Sequence, residues 1–200
     1  MDYTHTLTRA AENGEAMTYG IVQGSNTLVF VKSGRGSNCY GYEDKYLRMA
    51  HRIHESRGYT VICSPNPTDV ETGGVDEAVI RDYAREACWD SFDLRLFGGS
   101  NGAYQNLLLG ARMPETTRIL CVNMPLMINY HKITRALMGA GGDERRVKIL
   151  MVYGEKDPSA PYVPILASRA LPHVTIQRVT GADHNFAGMV EAYIELSDWM

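Results

Sequence analysis

The stretch Gly98-Gly99-Ser100-Asn101-Gly102 joins an apolar, strand-like run at residues 93–97 to a helical run that begins at Ala103. A G-x-S-x-G pattern at a strand-to-helix corner predicts a very tight turn that presents the serine hydroxyl beside the helix N-terminus. Glycine is required at the flanking positions because a Cβ atom there would clash with the neighbouring strand and helix. The chain has 19 glycines in 200 residues, so the bare pattern arises by chance in roughly one such chain in ten. The interpretation therefore depends on the surrounding sequence.

Strand-like and helical runs alternate on both sides of this corner. Strands are predicted at residues 27–31, 59–63, 93–97, 118–122, 147–153 and 174–179, and helices at 43–57, 75–89, 103–112, 163–170 and 187–199. Continuous apolar strands separated by helices are typical of a parallel sheet covered on both faces. The predicted fold class is α/β, as a three-layer α/β/α sandwich with a mostly parallel sheet. Residues 17–22 are expected to pair with 27–31 as an antiparallel hairpin.

Length, charge and hydropathy limit the number of domains, the kinds of partner and the location that the chain can have. Two hundred residues fit a single domain, 1–200, which would bury about seventy per cent of the surface of its unfolded chain. The 20 basic and 23 acidic residues form no block or stripe, which disfavours nucleic acid as a partner. The first residues do not resemble a signal peptide, and no apolar run is long enough to span a membrane. A cytoplasmic location is expected, and the oligomeric state is left open.

Neither disulfides nor a metal site are predicted. The chain contains four widely spaced cysteines, Cys39, Cys63, Cys88 and Cys121. Buried free thiols in a reducing compartment are the favoured interpretation. His51 and His54 precede Glu55 as H-x-x-H-E, which is neither of the zinc signatures H-E-x-x-H and H-x-x-E-H. We interpret these histidines as part of a solvated helix face.

Three segments that directly follow predicted strands carry reactive side chains. They are Ser100, the segment Gly154-Glu155-Lys156-Asp157-Pro158, and the segment Gly181-Ala182-Asp183-His184-Asn185-Phe186. Ligands of open parallel sheets bind beyond the carboxyl ends of the strands. A serine hydroxyl becomes a good nucleophile when a histidine takes its proton, and a carboxylate fixes the tautomer of that histidine. Ser100, His184 and Asp157 are therefore expected to converge at one edge of the sheet.

With these segments the chain resembles the α/β-hydrolase superfamily, whose triad runs in the order Ser, Asp or Glu, His. The resemblance extends from residue 27 to residue 184 and implies an α/β-hydrolase fold. It implies Ser100 as nucleophile, His184 as general base and acid, and Asp157 as the orienting carboxylate. It also implies that the backbone N–H of Asn101 stabilises the oxyanion. In the family a second backbone donor follows a His-Gly pair. This chain has Ser33 where that histidine usually stands, and the positional match implies the backbone N–H of Arg35 as the second donor.

Alternatives to these assignments stay open. Three other carboxylates could replace Asp157, namely Glu155, Asp143 and Asp183. Asp157 is favoured because it lies just beyond an apolar strand, whereas Asp183 is the sequence neighbour of the histidine. His131 is the rival of His184, but it precedes the acid in sequence.

No cofactor is predicted. Gly34, Gly36 and Gly41 are spaced as G-x-G-x-x-x-x-G and not as the dinucleotide fingerprint G-x-G-x-x-G. Residues 98–103 contain no lysine, so a P-loop is also disfavoured.

The region where larger family members insert a lid is short. About twenty residues separate the strands near 123 and 147, which predicts a minimal cap and an open site for a small or medium acyl group. The candidate pocket residues are Met124, Pro125, Met127, Tyr104 and Phe186. The methionines could instead pack a short helix on the sheet. Arg35 could hold a substrate carboxylate, although a solvated loop arginine is the favoured interpretation.

The predicted function is a cofactor-free serine hydrolase that cleaves a carboxylic ester or thioester through an acyl-enzyme. In size the chain is similar to small carboxylesterases, thioesterases and dienelactone-hydrolase-like proteins, although the last group uses cysteine as nucleophile. Acyl transfer to an acceptor other than water would use the same residues. A binding or interaction protein that has lost the chemistry is the alternative from another class, and Ser33 is the only feature that favours it.

Overall fold

The structure is a computed structural model that describes residues 2–68, 70, 72–141 and 147–200. The strands in this part of the chain are β1 His5–Ala10, β2 Ala16–Val22, β3 Ser25–Lys32, β4 Tyr59–Ser64, β5 Asp93–Gly99, β6 Thr116–Val122, β7 Lys148–Gly154 and β8 Val174–Val179. The helices are α1 Lys45–Arg57, α2 Gly73–Glu86, α3 Asn101–Arg112, α4 Leu126–Ala140, α5 Val163–Ala167 and α6 Val190–Glu195. Short 3-10 turns lie at Tyr42–Asp44, Ala160–Tyr162 and Leu196–Trp199.

The strands form one sheet in the order β1-β2-β4-β3-β5-β6-β7-β8. Pairing is parallel from β4 through β3 to β8, and antiparallel for β1 with β2 and β2 with β4. The expected hairpin between β2 and β3 is wrong. Since β3 is bonded to β4 on one edge and to β5 on the other, it has no free edge for β2. β2 pairs instead with the outer edge of β4, with Ile21 opposite Ile62.

Side chains from alternate positions of the strands enter separate cores on the two faces of the sheet. In β3, Phe30 belongs to the core that contains residues of α2, α3 and α4, whereas the next residue, Val31, belongs to the core that contains residues of α1 and α6. Both side chains are almost completely buried, and each such burial contributes roughly 1.5–3 kcal/mol. The predicted three-layer α/β/α sandwich with a mostly parallel sheet is thereby confirmed.

The helix boundaries follow local signals. α1 ends at Gly58, which has φ 69° and donates its N–H to the His54 carbonyl at 2.7 Å.

The short region between β6 and β7, where a lid would be inserted, contains helix α4. This helix packs Ile133 and Leu137 against the core and leaves Ile128 72% exposed. In the described residues no helix has both the length and the apolar character that a bilayer crossing requires.

The four cysteines are unpaired. Cys39, Cys63 and Cys121 are buried as predicted, but Cys88 is exposed just after α2. Burial raises the pKa of the Cys63 and Cys121 thiols to about 12, so both are protonated at neutral pH.

Candidate active site

The turn between β5 and α3 holds Ser100 in a strained conformation, with φ 52° and ψ −123°. Such a backbone costs about 1–3 kcal/mol and persists only when its surroundings enforce it. Here the Ser100 N–H donates to the carbonyl of Val122 at 2.8 Å. A Cβ on Gly98 would lie 2.5 Å from the Ala103 nitrogen, and a Cβ on Gly102 would lie 2.3 Å from the carbonyl oxygen of Ser33. Side chains therefore cannot fit at either position, as the sequence predicts.

Side chains from three loops meet at the carboxyl edge of the sheet. The Ser100 Oγ lies 2.8 Å from Nε2 of His184, and Nδ1 of the same ring lies 2.5 Å from Oδ2 of Asp157. The Asp157 side chain is completely buried, whereas the His184 side chain is 37% exposed. This geometry permits the imidazole to take the hydroxyl proton while the carboxylate holds the ring.

Backbone and side-chain hydrogen bonds hold the acid loop. Asp157 Oδ1 accepts a hydrogen bond from the Ser159 N–H at 2.7 Å, so each carboxylate oxygen has a partner. This compensates for burial of the charge. The Ser159 Oγ in turn accepts from the N–H of Leu126 at 3.2 Å, which ties the acid loop to α4.

The rival carboxylates have other partners. Glu155 Oε2 accepts the Gly181 N–H at 2.9 Å. Asp183 Oδ1 accepts the Ala187 N–H at 2.9 Å, and this bond is the main cause of a lowered pKa of the Asp183 carboxyl. Both side chains thus stabilise turns. Asp143 lies outside the described residues.

The other histidines considered from the sequence are not at this site. His131 is exposed on α4, with its ring against Tyr130. His51 and His54 are partly exposed on α1, and each has a ring nitrogen within hydrogen-bonding distance of a backbone carbonyl. Among the described residues, no group of three or more His, Cys, Asp or Glu side chains is arranged to hold a metal ion.

Asn101, the first residue of α3, has a backbone N–H that lacks an intrahelical acceptor. Its side-chain oxygen accepts from Gln105 Nε2 at 3.0 Å and from Asn66 Nδ2 at 3.2 Å. Asn66 is buried, and it also donates through Nδ2 to the Ser33 carbonyl at 2.9 Å and through its N–H to the Ser37 carbonyl at 2.8 Å. Asn66 therefore links the serine turn to the loop that follows β3.

That loop borders the nucleophile. A Cβ on Gly34 would lie 3.8 Å from the Ser100 Cβ. The Gly34 N–H donates a long hydrogen bond to the Tyr46 hydroxyl, with 3.4 Å between nitrogen and oxygen. The exposed side chain of Arg35 donates from Nε to the Thr68 carbonyl at 2.9 Å. The role of the Arg35 backbone N–H as second oxyanion donor stays a prediction.

Asn123 is a site residue that sequence analysis missed. It is buried at φ 50° directly after β6. Its Nδ2 donates to the carbonyls of Asp183 at 3.1 Å and His184 at 2.9 Å, and its Oδ1 accepts the Gly154 N–H at 2.8 Å. The amide thus joins the histidine loop to the start of the acid loop. Its position after an apolar strand, like that of the triad residues, was the available signal.

A buried ion pair beneath the loop after β3 was also missed. Lys32 Nζ lies 2.7 Å from Asp76 Oδ2, and both side chains are almost completely buried. Lys32 also donates to Ser64 Oγ at 2.9 Å and to the Pro65 carbonyl at 2.6 Å, while the Tyr19 hydroxyl donates to Asp76 Oδ1 at 3.0 Å. Burial lowers the pKa of Lys32, and the contact with Asp76 opposes that effect.

Two of the predicted pocket residues belong to the core. Met124 and Phe186 are 0% and 1% exposed, and the Phe186 ring packs against Tyr193 with centroids 5.3 Å apart. Neither side chain can reach a ligand, so the expectation is wrong for these two. The others are partly or largely exposed and stay candidates: Tyr104, Pro125 and Met127.

A cavity of about 450 Å³ lies near the nucleophile, with Gly34 in its lining. Arg35, for which a contact with the substrate was considered, also lines it. It lies between the loop after β3 with the start of α1 and the segment that follows His184.

No protein-family model and no curated protein sequence matches the chain. Solved structures do. An α/β serine hydrolase homologue from Coxiella burnetii has a TM-score of 0.70 and 16% identity over 98% of this chain and 97% of that one. An α/β serine hydrolase without a lid from Xanthomonas campestris has a TM-score of 0.68 and 17% identity over 98% and 93%. A carboxylesterase structure from Nitrososphaera gargenis has a TM-score of 0.69 and 11% identity over 96% and 97%. The chain thus has the α/β-hydrolase fold, as the sequence resemblance predicts.

Proposed function

We propose that this chain is a serine hydrolase that cleaves a small or medium carboxylic ester or thioester through an acyl-enzyme. One observation carries the proposal, the continuous contact from Ser100 Oγ through the His184 ring to Asp157 Oδ2, with separations of 2.8 Å and 2.5 Å. The serine hydrolases and the carboxylesterase that share the fold support the reaction class. The adjoining cavity of about 450 Å³ suits an acyl group of modest size.

The first half of the reaction forms the acyl-enzyme. Ser100 Oγ attacks the carbonyl carbon of the substrate while His184 Nε2 takes the hydroxyl proton. The backbone N–H of Asn101 stabilises the resulting oxyanion, and the Arg35 N–H is proposed as the second donor. The carbon–oxygen or carbon–sulfur bond to the leaving group then breaks, and His184 gives its proton to the departing alcohol or thiol.

The second half restores the enzyme. A water molecule attacks the acyl carbon, and His184 takes one of its protons. The bond to Ser100 Oγ breaks, and the serine recovers a proton from His184 as the carboxylic acid leaves. Throughout, Asp157 keeps the Nδ1 proton of the ring in place and stabilises the imidazolium.

Labelling with a fluorophosphonate probe tests the proposal. We expect one covalent adduct on the intact protein and none on Ser100→Ala. Ser168→Ala is the matched control, because it removes the hydroxyl of an exposed serine outside the site and should label like the natural chain. A screen of p-nitrophenyl esters and acyl-CoA thioesters then distinguishes ester from thioester substrates. Unlabelled protein, or labelling that persists in Ser100→Ala, would contradict the proposal.

A further inference from the structure

The cavity near the nucleophile is lined by two cationic side chains. Its described lining residues include the cations Lys45 and Arg35, and no acidic side chain is among them. Gly34 and Asn185 also line it. Gly34 lies close to Ser100 and Asn185 directly follows His184, so two of the lining residues are neighbours of triad residues.

Lys45 is half-buried at the start of α1. Its ammonium lies 4.4 Å from the centroid of the Tyr193 ring and 5.2 Å from that of Tyr46. Within residues 2–68, 70, 72–141 and 147–200, no carboxylate forms an ion pair with it. Burial lowers the pKa of the Lys45 amine, because the charged form loses part of its hydration.

Two arginines of the same helix have carboxylate partners. On α1 itself, Arg48 pairs with Glu191, and Arg52 pairs with Asp198 at 2.6 Å. An incompletely solvated ammonium that faces a cavity gains most from a ligand that brings its own negative charge.

The residues directly before Lys45 have a left-handed backbone conformation. Glu43 and Asp44 have φ values of 52° and 53°, and Gly41 has φ 73°. Side chains rarely adopt this left-handed region, and such strain occurs at sites where a group is held in place. The Glu43 and Asp44 side chains are exposed and are not among the residues that line the cavity. The Glu43 carboxylate interacts with the hydroxyl of the lining residue Tyr42 and raises its pKa.

We infer that this cavity binds an anionic group of the substrate through Lys45, so that the enzyme prefers esters that carry a carboxylate. This inference rests on the proposed function and names its substrate class. The carboxylate could belong to the acyl part, as in the monoester of a dicarboxylic acid, or to the alcohol part, as in an acylated hydroxy acid. Both place one negative charge a few bonds from the ester carbonyl.

The test compares charged and neutral esters of similar size. In the acyl arm, the monoethyl esters of succinate, glutarate and adipate are compared with ethyl hexanoate. In the alcohol arm, acetoxyacetate is compared with 2-methoxyethyl acetate. The quantity measured is the ratio of kcat/KM for the charged ester to kcat/KM for the neutral one. We expect a ratio above one in at least one arm.

Variants then assign the preference to Lys45. Lys45→Met should lower the ratio about tenfold or more, the scale of one charge-assisted hydrogen bond. Lys45→Arg should retain most of it. Arg48→Gln is the matched control, since it removes a cation from the same helix outside the cavity, and it should leave the ratio within about twofold.

Fluorophosphonate titration counts the active sites of each variant, so that loss of folding is not taken for loss of preference. If the natural chain labels and hydrolyses neutral esters, but neither arm shows a preference that depends on Lys45, the inference is wrong and the proposed function stands. If the natural chain neither labels nor hydrolyses any ester, the proposed function fails and the inference fails with it.

Discussion

Asn123 shows at the scale of single residues how the site is held together. Its amide forms three hydrogen bonds to the backbone of Asp183, His184 and Gly154. Each such bond contributes about 1 kcal/mol, and the amide also fixes the spacing between the histidine and acid loops. It does not contact the reacting groups and acts through His184, so it is a positioning residue.

We expect Asn123→Ala to lower kcat by about ten- to a hundredfold with a smaller change in KM, because a displaced imidazole impairs proton transfer more than binding. The pH dependence of kcat should also shift, since the His184 ring is no longer held firmly against Asp157. Steady-state kinetics from pH 5 to 10 measures both, and circular dichroism checks the fold. If Asn123→Ala lowered Tm but left kcat and its pH profile as in the natural chain, Asn123 would have only a structural role.

The sequence reveals a site residue when its type and its position along the chain together indicate a role. It does not reveal a residue whose role depends on contacts with distant loops. Ser100 and His184 are recognisable because the residue type and the position after a strand together indicate a role. Asn123 occupies a similar position, but its partners are backbone atoms of loops far along the chain. Nothing in the local sequence indicates those contacts. The same holds for Phe186, whose burial against Tyr193 depends on tertiary packing.

At the scale of elements, β3 and α2 are joined by the buried Lys32–Asp76 pair, directly before the loop that borders Ser100. Removing one partner leaves a buried charge without compensation, which typically costs 3–5 kcal/mol. We therefore expect Asp76→Asn and Lys32→Met each to lower the free energy of unfolding by roughly 3 kcal/mol or more.

Urea unfolding of both single variants and of the double variant measures this coupling. The double variant should lose less stability than the sum of the two single losses, because no charge is left unpaired. The exposed pair of Arg52 and Asp198 provides the control, and its removal should cost about 0–1 kcal/mol. If the free energy of unfolding of a single variant at Lys32 or Asp76 stayed within about 1 kcal/mol of that of the natural chain, the unpaired charge would not have the expected cost.

Element boundaries were predicted well where local signals exist, and so was the mostly parallel sheet, but the antiparallel hairpin was not. β8 was predicted with its observed bounds, and Gly58 ends α1. The partner of β2 was predicted wrongly because it depends on which sheet edges the crossovers leave free. That information is a property of the whole topology and not of the hairpin-like segment 17–31.

At the scale of the whole molecule, the parallel part of one sheet brings the three triad loops to the same edge. The alternation of apolar strands and helices was sufficient to predict this, because the carboxyl ends of parallel strands share an edge. The cavity with Lys45 was not predictable, because two loops with left-handed backbone residues border it. One loop contains Gly41 and Asp44, and the other contains Phe186, whose sequence neighbours line the cavity. Sequence patterns do not fix such loop conformations.

The most direct test of the account is a crystal structure of the protein after reaction with a small fluorophosphonate. We expect a bond from phosphorus to Ser100 Oγ, with one phosphoryl oxygen about 2.7–3.1 Å from the Asn101 backbone nitrogen and His184 still bonded to Asp157. An adduct on another residue, or a phosphoryl oxygen that receives no hydrogen bond from the serine turn, would contradict the account.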